Sequence, residues 1–229
     1  QEGIDLFKQL DFDFLVEVFP ILLDATRMTL FLAVVSLVIS FALALVLATI
    51  RYFKVPVLSP VVQVYISFFR GTPLITQLFL VYFGVFTLNR FLTRLPATYA
   101  TVVTLSLNSA AYMAETIRAS FSSVDQGQIE AAESLCMTKL QYMRRVVFPQ
   151  AMRVALPSLF NSLIDLIKGT AIAFTIGVTE MMNRAIAEAS RSLSHYFEVY
   201  LAIALIYWVL SIVLAFLQRR VEKALSVYQ

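Results

Sequence analysis

The sequence predicts an all-α, polytopic membrane protein of five transmembrane helices. The N-terminus is expected outside, the C-terminus in the cytoplasm, with one cytoplasmic two-helix loop between spans. Three observations predict this. Of 229 residues, 59% are hydrophobic and only 14% are charged, against roughly 45–50% and about 25% in soluble domains. The apolar residues gather into runs long enough to cross a bilayer core of roughly 30 Å. The longest exception, residues 126–157 (QGQIEAAESLCMTKLQYMRRVVFPQAMRVALP), is polar and carries helix signals. A net charge of +3 is too small to point to nucleic acid. One cysteine and one histidine (His195) leave no internal disulfide, no zinc cluster and no histidine metal site.

Residues 1–24 are acidic, with Glu2, Asp5, Asp11, Asp13, Glu17 and Asp24 against Lys8. Phe7, Leu10, Phe14, Leu15 and Val18 recur at roughly helical spacing. This predicts a separate N-terminal helix, lying at the membrane interface or packed on the bundle. No basic region followed by an apolar core is present here, so no cleavable signal peptide is expected. Residues 25–229 then form one transmembrane domain.

The first span is expected over Met28 to Ile50, closed by Arg51 and Lys54, with Pro56 and Pro60 turning the chain. Residues 61–91 are too long for one span and are broken at Arg70-Gly71-Thr72-Pro73. Pro73 lacks an N–H and Gly71 permits unusual torsions, which predicts a kink or a helix restart. Val61 to Phe69 is then an apolar approach, and Pro73 to Leu92 the second span. The third, Tyr99 to Phe121, contains Asn108, Ser109, Tyr112 and Glu115, polar groups that need partners inside the bundle. A loop over 122–150 comes next. The fourth span, Val154 to Val178, is interrupted by Asp165, Lys168, Gly169 and Thr170. An amphipathic stretch, Glu180 to Ser194, leads to the fifth, Tyr196 to Leu217, which Arg219, Arg220 and Lys223 finish.

Basic residues orient this layout. An external N-terminus puts Arg51, Lys54, Arg118, Lys139, Arg144, Arg145, Arg153, Arg219, Arg220 and Lys223 inside, ten in all. Six lie outside: Lys8, Arg27, Arg90, Arg94, Arg184 and Arg191. Arg70 and Lys168 count for neither side.

The loop begins with a tight turn, Asp125 to Gln128, and Glu130, Ala131 and Ala132 open a short helix. A second helical piece is expected over Thr138 to Val147, with Lys139, Arg144 and Arg145 on a polar face. Pro149 and Pro157 restrict the backbone beyond it. This loop resembles the EAA loop of permease subunits of ATP-binding-cassette importers. SFFRGTPLITQLFLVYFG (67–84) and LSLNSAAYMAETIR (105–118) are similar to the polar amino-acid uptake branch of that family. The resemblance runs from about Thr29 to Arg219.

It implies a permease subunit of a type I importer in the bacterial inner membrane, with no cofactor on this chain. It implies as partners a second permease subunit, identical or related, and two cytoplasmic ATPase subunits carrying ATP and Mg. An extracytoplasmic binding protein would deliver the polar amino acid. One residue departs from the pattern. The family pattern is EAA, three residues, then Gly, and at that Gly position this chain has Cys136. Gly ends the helix in a left-handed conformation without steric cost; Cys in the same conformation costs roughly 1 kcal/mol.

The chain has no GxxxxGK[ST] phosphate loop and no credible Ser/His/Asp set, so no catalytic residue and no enzyme is expected. The resemblance assigns Glu130 to ATPase coupling, with Ala131, Ala132, Cys136 and Arg144 around it. Physics alone allows Glu130 to stabilise a helix N-terminus, by about 0.3–1 kcal/mol. Arg70, Gly71 and Pro73 read as a hinge near a gate, or as a kink with a snorkelling arginine. Glu115 and Arg118 share a helix face and pair with each other, or Glu115 faces a second subunit or a gate.

Asn161, Asp165 and Lys168 fall at i, i+4 and i+7, one stripe. With Thr170 they are the expected lining of a translocation path, since intramembrane charges mark pathways. An Asp165–Lys168 pair that only fixes packing is the alternative. As a path, one anion and one cation suit a zwitterionic amino acid. Gln77, Asn108 and Tyr112 are further candidates. In the resembling branch the residue after this Lys is often acidic; here it is Gly169. Two other functions fit the composition. An ion-driven secondary transporter needs intramembrane carboxylates, for which Asp165 and Glu115 serve, and often an internal repeat, which is not seen. A non-transporting scaffold needs neither.

Overall fold

A computed structural model describes residues 10–192 and 194–226, with no side-chain description for the last three. Glu2, Asp5, Phe7 and Lys8 of the expected N-terminal helix lie outside the described residues. The described chain is helical throughout, without strands. The elements are α1 (Phe12–Tyr52), α2 (Leu58–Gly71), α3 (Leu74–Phe79), α4 (Arg90–Thr93), α5 (Ala97–Ser122), α6 (Gln126–Ser134), α7 (Lys139–Tyr142), α8 (Phe148–Gly169), α9 (Met181–Arg191) and α10 (Tyr196–Ser226).

Residues 12–24 are not a separate helix. They are the first turns of α1, which runs 41 residues, about 60 Å at 1.5 Å per residue. Nothing interrupts the run except Pro20, whose missing N–H frees one carbonyl without ending the helix. Val18 and Leu22 are buried against Met181, Ala185, Val199 and Ala202 of α9 and α10. The start of α1 is also fastened to α10. The Asp11 N–H donates to Glu198 Oε1 at 3.1 Å. His195 Nε2 lies 3.3 Å from Asp11 Oδ2, and its ring stacks on Phe14 at 4.3 Å.

The break at residues 70–73 is a bend of 113° between α2 and the run 74–88. Its position follows from backbone chemistry. In a continuous helix the Phe69 carbonyl would accept from residue 73, which is proline and has no N–H. Gln77 and Asn108 take its place: Gln77 Nε2 lies 2.9 Å and Asn108 Nδ2 3.1 Å from that carbonyl. Gln77 Nε2 also reaches the Thr72 carbonyl at 3.0 Å, and Asn108 Nδ2 donates to Gln77 Oε1 at 3.0 Å. Gly71 stays in α2 with open space where a Cβ would be, so the bend does not depend on its torsional freedom. Beyond the bend the helix ends at Leu88 rather than Leu92. It widens to a π turn (Leu80–Gly84), tightens to a 3₁₀ turn (Val85–Leu88), and Asn89 caps α4.

Among the described residues, three helical runs are long and apolar enough to cross a membrane: Phe12–Tyr52, Lys139–Ile176 and Tyr196–Lys223. The bent pair α2–α3 makes a fourth if it counts as one span. The expected third span, α5, is not among them. Thr101, Thr104, Ser106, Asn108 and Ser109 dilute its apolar character, and α5 is the central helix, packed along α1 and against α8. A helix shielded by its neighbours need not be lipid-compatible on every face. Small residues make that packing close, with Ala33, Ser36, Ser40 and Ala44 of α1 and Ala110, Ala111 and Ala114 of α5 all buried.

The expected second loop helix is not a separate piece either. From Lys139 the chain runs through α7, a π turn (Met143–Val147) and α8, then tightens to a 3₁₀ helix (Thr170–Ile176). Pro149 does not break this run because it falls in the first turn of α8. The π turn just before it re-pairs the backbone, the Phe148 N–H bonding the Met143 carbonyl. The expected interruption at 165–170 is the change of helix type at Thr170. Gly177 ends the run in the left-handed region, at φ 80°.

Replacing Gln77 by Leu withdraws the donor from the Phe69 and Thr72 carbonyls. The expected loss is about 1–3 kcal/mol, read as a lowered unfolding midpoint of the purified subunit in detergent. Asn108→Leu is expected to act on the same network. The double variant should therefore lose less than the sum of the two.

Candidate functional site

Three groups of side chains stand out from the packing: the loop surface, a charge cluster beside it, and a polar groove between α5 and α8. In the loop, α6 buries Ile129 and Ala132 with Tyr142 and Met143. Glu130, Ala131, Glu133 and Ser134 consequently face outward. Ala132 is therefore a packing contact, not part of the exposed surface with which the sequence grouped it. Glu130 lies beyond the first turn of α6, which contains no acidic residue, so stabilising the helix N-terminus does not account for it.

The turn after α6 explains the departure at Cys136. The Met137 N–H bonds the Ala132 carbonyl at 3.1 Å and the Cys136 N–H bonds the Glu133 carbonyl at 2.8 Å. This is the paired C-terminal closure in which the penultimate residue is left-handed. Cys136 occupies that position at φ 55°. The turn is therefore retained with a residue that carries a Cβ. Thr138 then starts α7 through a reciprocal cap with Gln141. Leu135 and Leu140 flank the turn and are 78% and 77% exposed, and Arg144 is exposed beyond them. Both leucines are absent from the candidates that the sequence offers; their signal is two large apolar residues within the loop.

The charge cluster sits where α1 and α5 meet near the loop. Glu115 Oε2 pairs with Arg118 at 2.9 Å, and its Oε1 with Arg51 of α1 at 2.9 Å. Both ion pairs are largely shielded, Arg51 and Glu115 each being 20% exposed. The expected Glu115–Arg118 pair is thus half of a three-membered bridge. Arg51, read from sequence only as the end of a span, is its third member. Arg70 lies 5.4 Å from the centre of the Tyr112 ring, within range for a cation–π contact.

The groove has a volume of about 490 Å³, and its polar wall includes Asn108, Ser109, Tyr112, Ser158, Asn161 and Asp165. Four expected path residues, Asn108, Tyr112, Asn161 and Asp165, therefore meet in one place. Lys168 is not on the wall but pairs with Asp165 at 2.9 Å. Two expected path residues are elsewhere. Gln77 is buried in the staple of the bend. Thr170 is fully buried, its hydroxyl donating to the Ile167 carbonyl at 2.8 Å. Gly169 is on the groove wall, where a Cβ would come within 3.4 Å of Leu105 Cδ2.

The left-handed Cys136 gives a direct test. Cys136→Gly is expected to stabilise the subunit by about 1 kcal/mol through relief of the Cβ clash, raising the unfolding midpoint in detergent. Cys136→Ala keeps the Cβ and should give no such gain.

Comparisons with known proteins show the family to which the chain belongs. Residues 40–227 match the family model described as binding-protein-dependent transport system inner membrane component. The chain is 50% identical over 216 residues to the probable amino-acid ABC transporter permease protein PatM of Vibrio harveyi, covering 94% of this chain and 96% of that one. It is 38% identical to the arginine transport system permease protein ArtQ of Bacillus subtilis (strain 168), covering 95% and 98%. A crystal structure of an amino acid ABC transporter with histidines superposes with a TM-score of 0.84 at 37% identity, over 94% of this chain and 99% of that one. An inward-facing MetNI methionine ABC transporter shares the fold, with a TM-score of 0.75 at 20% identity over 89% and 95%. The chain belongs to the family of binding-protein-dependent transport system inner membrane components: it is a permease subunit of an ABC importer, and not itself an enzyme.

Proposed function

We propose that this chain forms the translocation path of an ATP-driven importer for a polar amino acid, in a bacterial inner membrane. The observation that carries this is the groove. Asp165 and Lys168 are 72% and 56% exposed, on a helix run long and apolar enough to cross a membrane. Charges facing lipid cost several kcal/mol, whereas charges facing water or a second subunit do not. The groove is thus half of a path that a second permease subunit, identical or related, completes. A carboxylate, an ammonium, two amides and several hydroxyls suit a small zwitterion, which agrees with the amino-acid transport named for the relatives.

The topology we propose has five crossings, with α5 as the enclosed central one. The loop end is cytoplasmic, as is the C-terminus, and the N-terminus is external. The ten-to-six distribution of Lys and Arg supports this orientation. Two ATPase subunits, which hold the ATP and Mg, then dock on Glu130, Ala131, Leu135, Cys136, Leu140 and Arg144. A binding protein delivers substrate at the opposite end. The bridge Arg51–Glu115–Arg118 joins α1 to α5 just above the docking surface, and the Arg70–Tyr112 contact joins the bend to the groove. Both are placed to form in one access state and separate in the other. ATP-driven closure needs only to favour one state over the other. Family membership favours this reading over a gradient-driven carrier.

The test is transport in proteoliposomes holding this subunit, its candidate ATPase and its candidate binding protein. Uptake is expected to require ATP hydrolysis and to ignore proton and sodium gradients. Glu130→Ala should reduce ATP-coupled uptake by tenfold or so, equivalent to about 1.4 kcal/mol of coupling. Asp165→Asn should raise the substrate concentration for half-maximal uptake while leaving ATPase docking intact. Uptake that runs on an ion gradient without ATP would overturn the proposal.

A further inference from the structure

α8 presents two faces of opposite character. Ser158, Asn161, Ser162 and Asp165 fall at i, i+3, i+4 and i+7 and wall the polar groove. Met152, Leu156, Leu159, Phe160 and Leu163 recur with the same period, half a turn away, and so occupy the opposite side of the helix. They wall a second groove, of about 300 Å³, which α1 and α5 complete. Met113 of α5 is fully buried at its floor, and Val38 of α1 is exposed at its rim. Every residue of this lining is apolar, so the groove offers nothing to the polar substrate of the path.

Two cations stand at the loop end of this groove. Arg153 shares a helix face with Leu156 and Phe160, at i+3 and i+7. Arg145 precedes Met152 by two turns, about 10 Å nearer the loop along the helix axis. Both arginines are exposed, and among the described residues neither has a carboxylate, a hydrogen-bond acceptor or an aromatic ring as partner. By contrast, Arg51 and Arg118 share Glu115, and Arg70 lies over Tyr112. Arg145 and Arg153 belong to the run Lys139–Ile176, which is long and apolar enough to cross a membrane. A cation on such a run is costly beside lipid chains and is drawn to anionic headgroups that its long side chain can reach.

We infer that the groove between α1 and α8 is a binding site for one anionic phospholipid of the leaflet nearest the loop. An acyl chain lies over Met113, between Val38 and Phe160. The phosphate supplies the counter-charge that Arg145 and Arg153 lack within the chain, in the forked geometry that guanidinium groups offer to phosphate. Three observations point to this occupant. The lining is apolar throughout, which suits a hydrocarbon chain and not a solute. The cations stand at one end only, which gives an amphiphile its direction. The groove also lies on the side of α8 away from the polar groove, so a second subunit that completes the path leaves this side to lipid. That third point rests on the translocation path proposed above; the apolar lining and the unpaired arginines do not.

The test counts lipid retained by the assembled importer, permease chains with their ATPases, by native mass spectrometry from detergent. Dioleoyl phosphatidylglycerol and dioleoyl phosphatidylcholine compete at equal concentration, so the chains are the same and only the headgroup charge differs. Each copy of this chain should retain one phosphatidylglycerol, with a preference on the order of tenfold over phosphatidylcholine. Glycerol phosphate, the same anion without chains, should not displace it. Arg145→Gln combined with Arg153→Gln should abolish the preference while leaving the unfolding midpoint in detergent unchanged, since both side chains are exposed. Val38→Trp, which fills the groove from its rim, should lower retention of both lipids with the arginines intact. Equal retention of the two lipids by the wild type would overturn the inference, as would a preference that survives in the double arginine variant. So would a preference of the isolated chain that disappears on assembly, because a second chain or an ATPase would then cover the groove. The count needs neither substrate nor ATP. A subunit that retains the lipid but imports nothing would remove the transport reading and leave the lipid site standing.

Discussion

Inside an apolar bilayer core, every backbone carbonyl needs a donor from the protein itself. This constraint shapes the subunit wherever its helices are not straight. At Pro73 the helix direction changes by 113°, and the carbonyl that proline cannot serve is taken by Gln77 and Asn108. At Thr170 the helix tightens and the threonine hydroxyl covers the Ile167 carbonyl. The polar side chains in these spans are therefore of two kinds, those that complete the backbone and those left over for substrate.

That division decides which candidates belong to the path. Gln77 and Thr170 complete the backbone, while Asn161 and Asp165 bond nothing in it and line the groove. Asn108 does both, so the bend and the groove share a side chain. A change of bend angle therefore alters the groove wall directly. The bridge of Glu115 with Arg51 and Arg118 connects the same central helix to the loop end. In this way α5 touches the bend, the groove and the approach to the loop surface, which is why its sequence is too polar for a lipid-facing span.

Much of this was legible in the sequence. The broken span at Pro73, the polar loop with its short first helix, and the stripe of Asn161 and Asp165 all rest on local patterns of proline, period and charge. Features that depend on distant residues were not legible. Arg51 and Glu115 are 64 positions apart, and nothing local to either marks the other. Ala131 and Ala132 are alike in sequence, but Ala131 is exposed and Ala132 is buried. The start of α1 read as a separate helix because its acidic composition differs from that of residues 28–50, although no break in the backbone accompanies the change.

The continuous run from Lys139 to Ile176 has a mechanical consequence. It is 38 residues long, about 57 Å at helical rise, with one end in the loop surface and the groove wall along its length. An element of this kind acts as a lever, not as a chain of joints. A tilt of about 10° around its middle displaces each end by about 5 Å, close to one helical turn. Between the loop surface and Asp165, such a lever can yield at the π turn at Met143–Val147, directly after α7, and at Pro157 inside α8. The stiffness of these two places would set how much of a push on the loop reaches Asp165 and how much is absorbed before it.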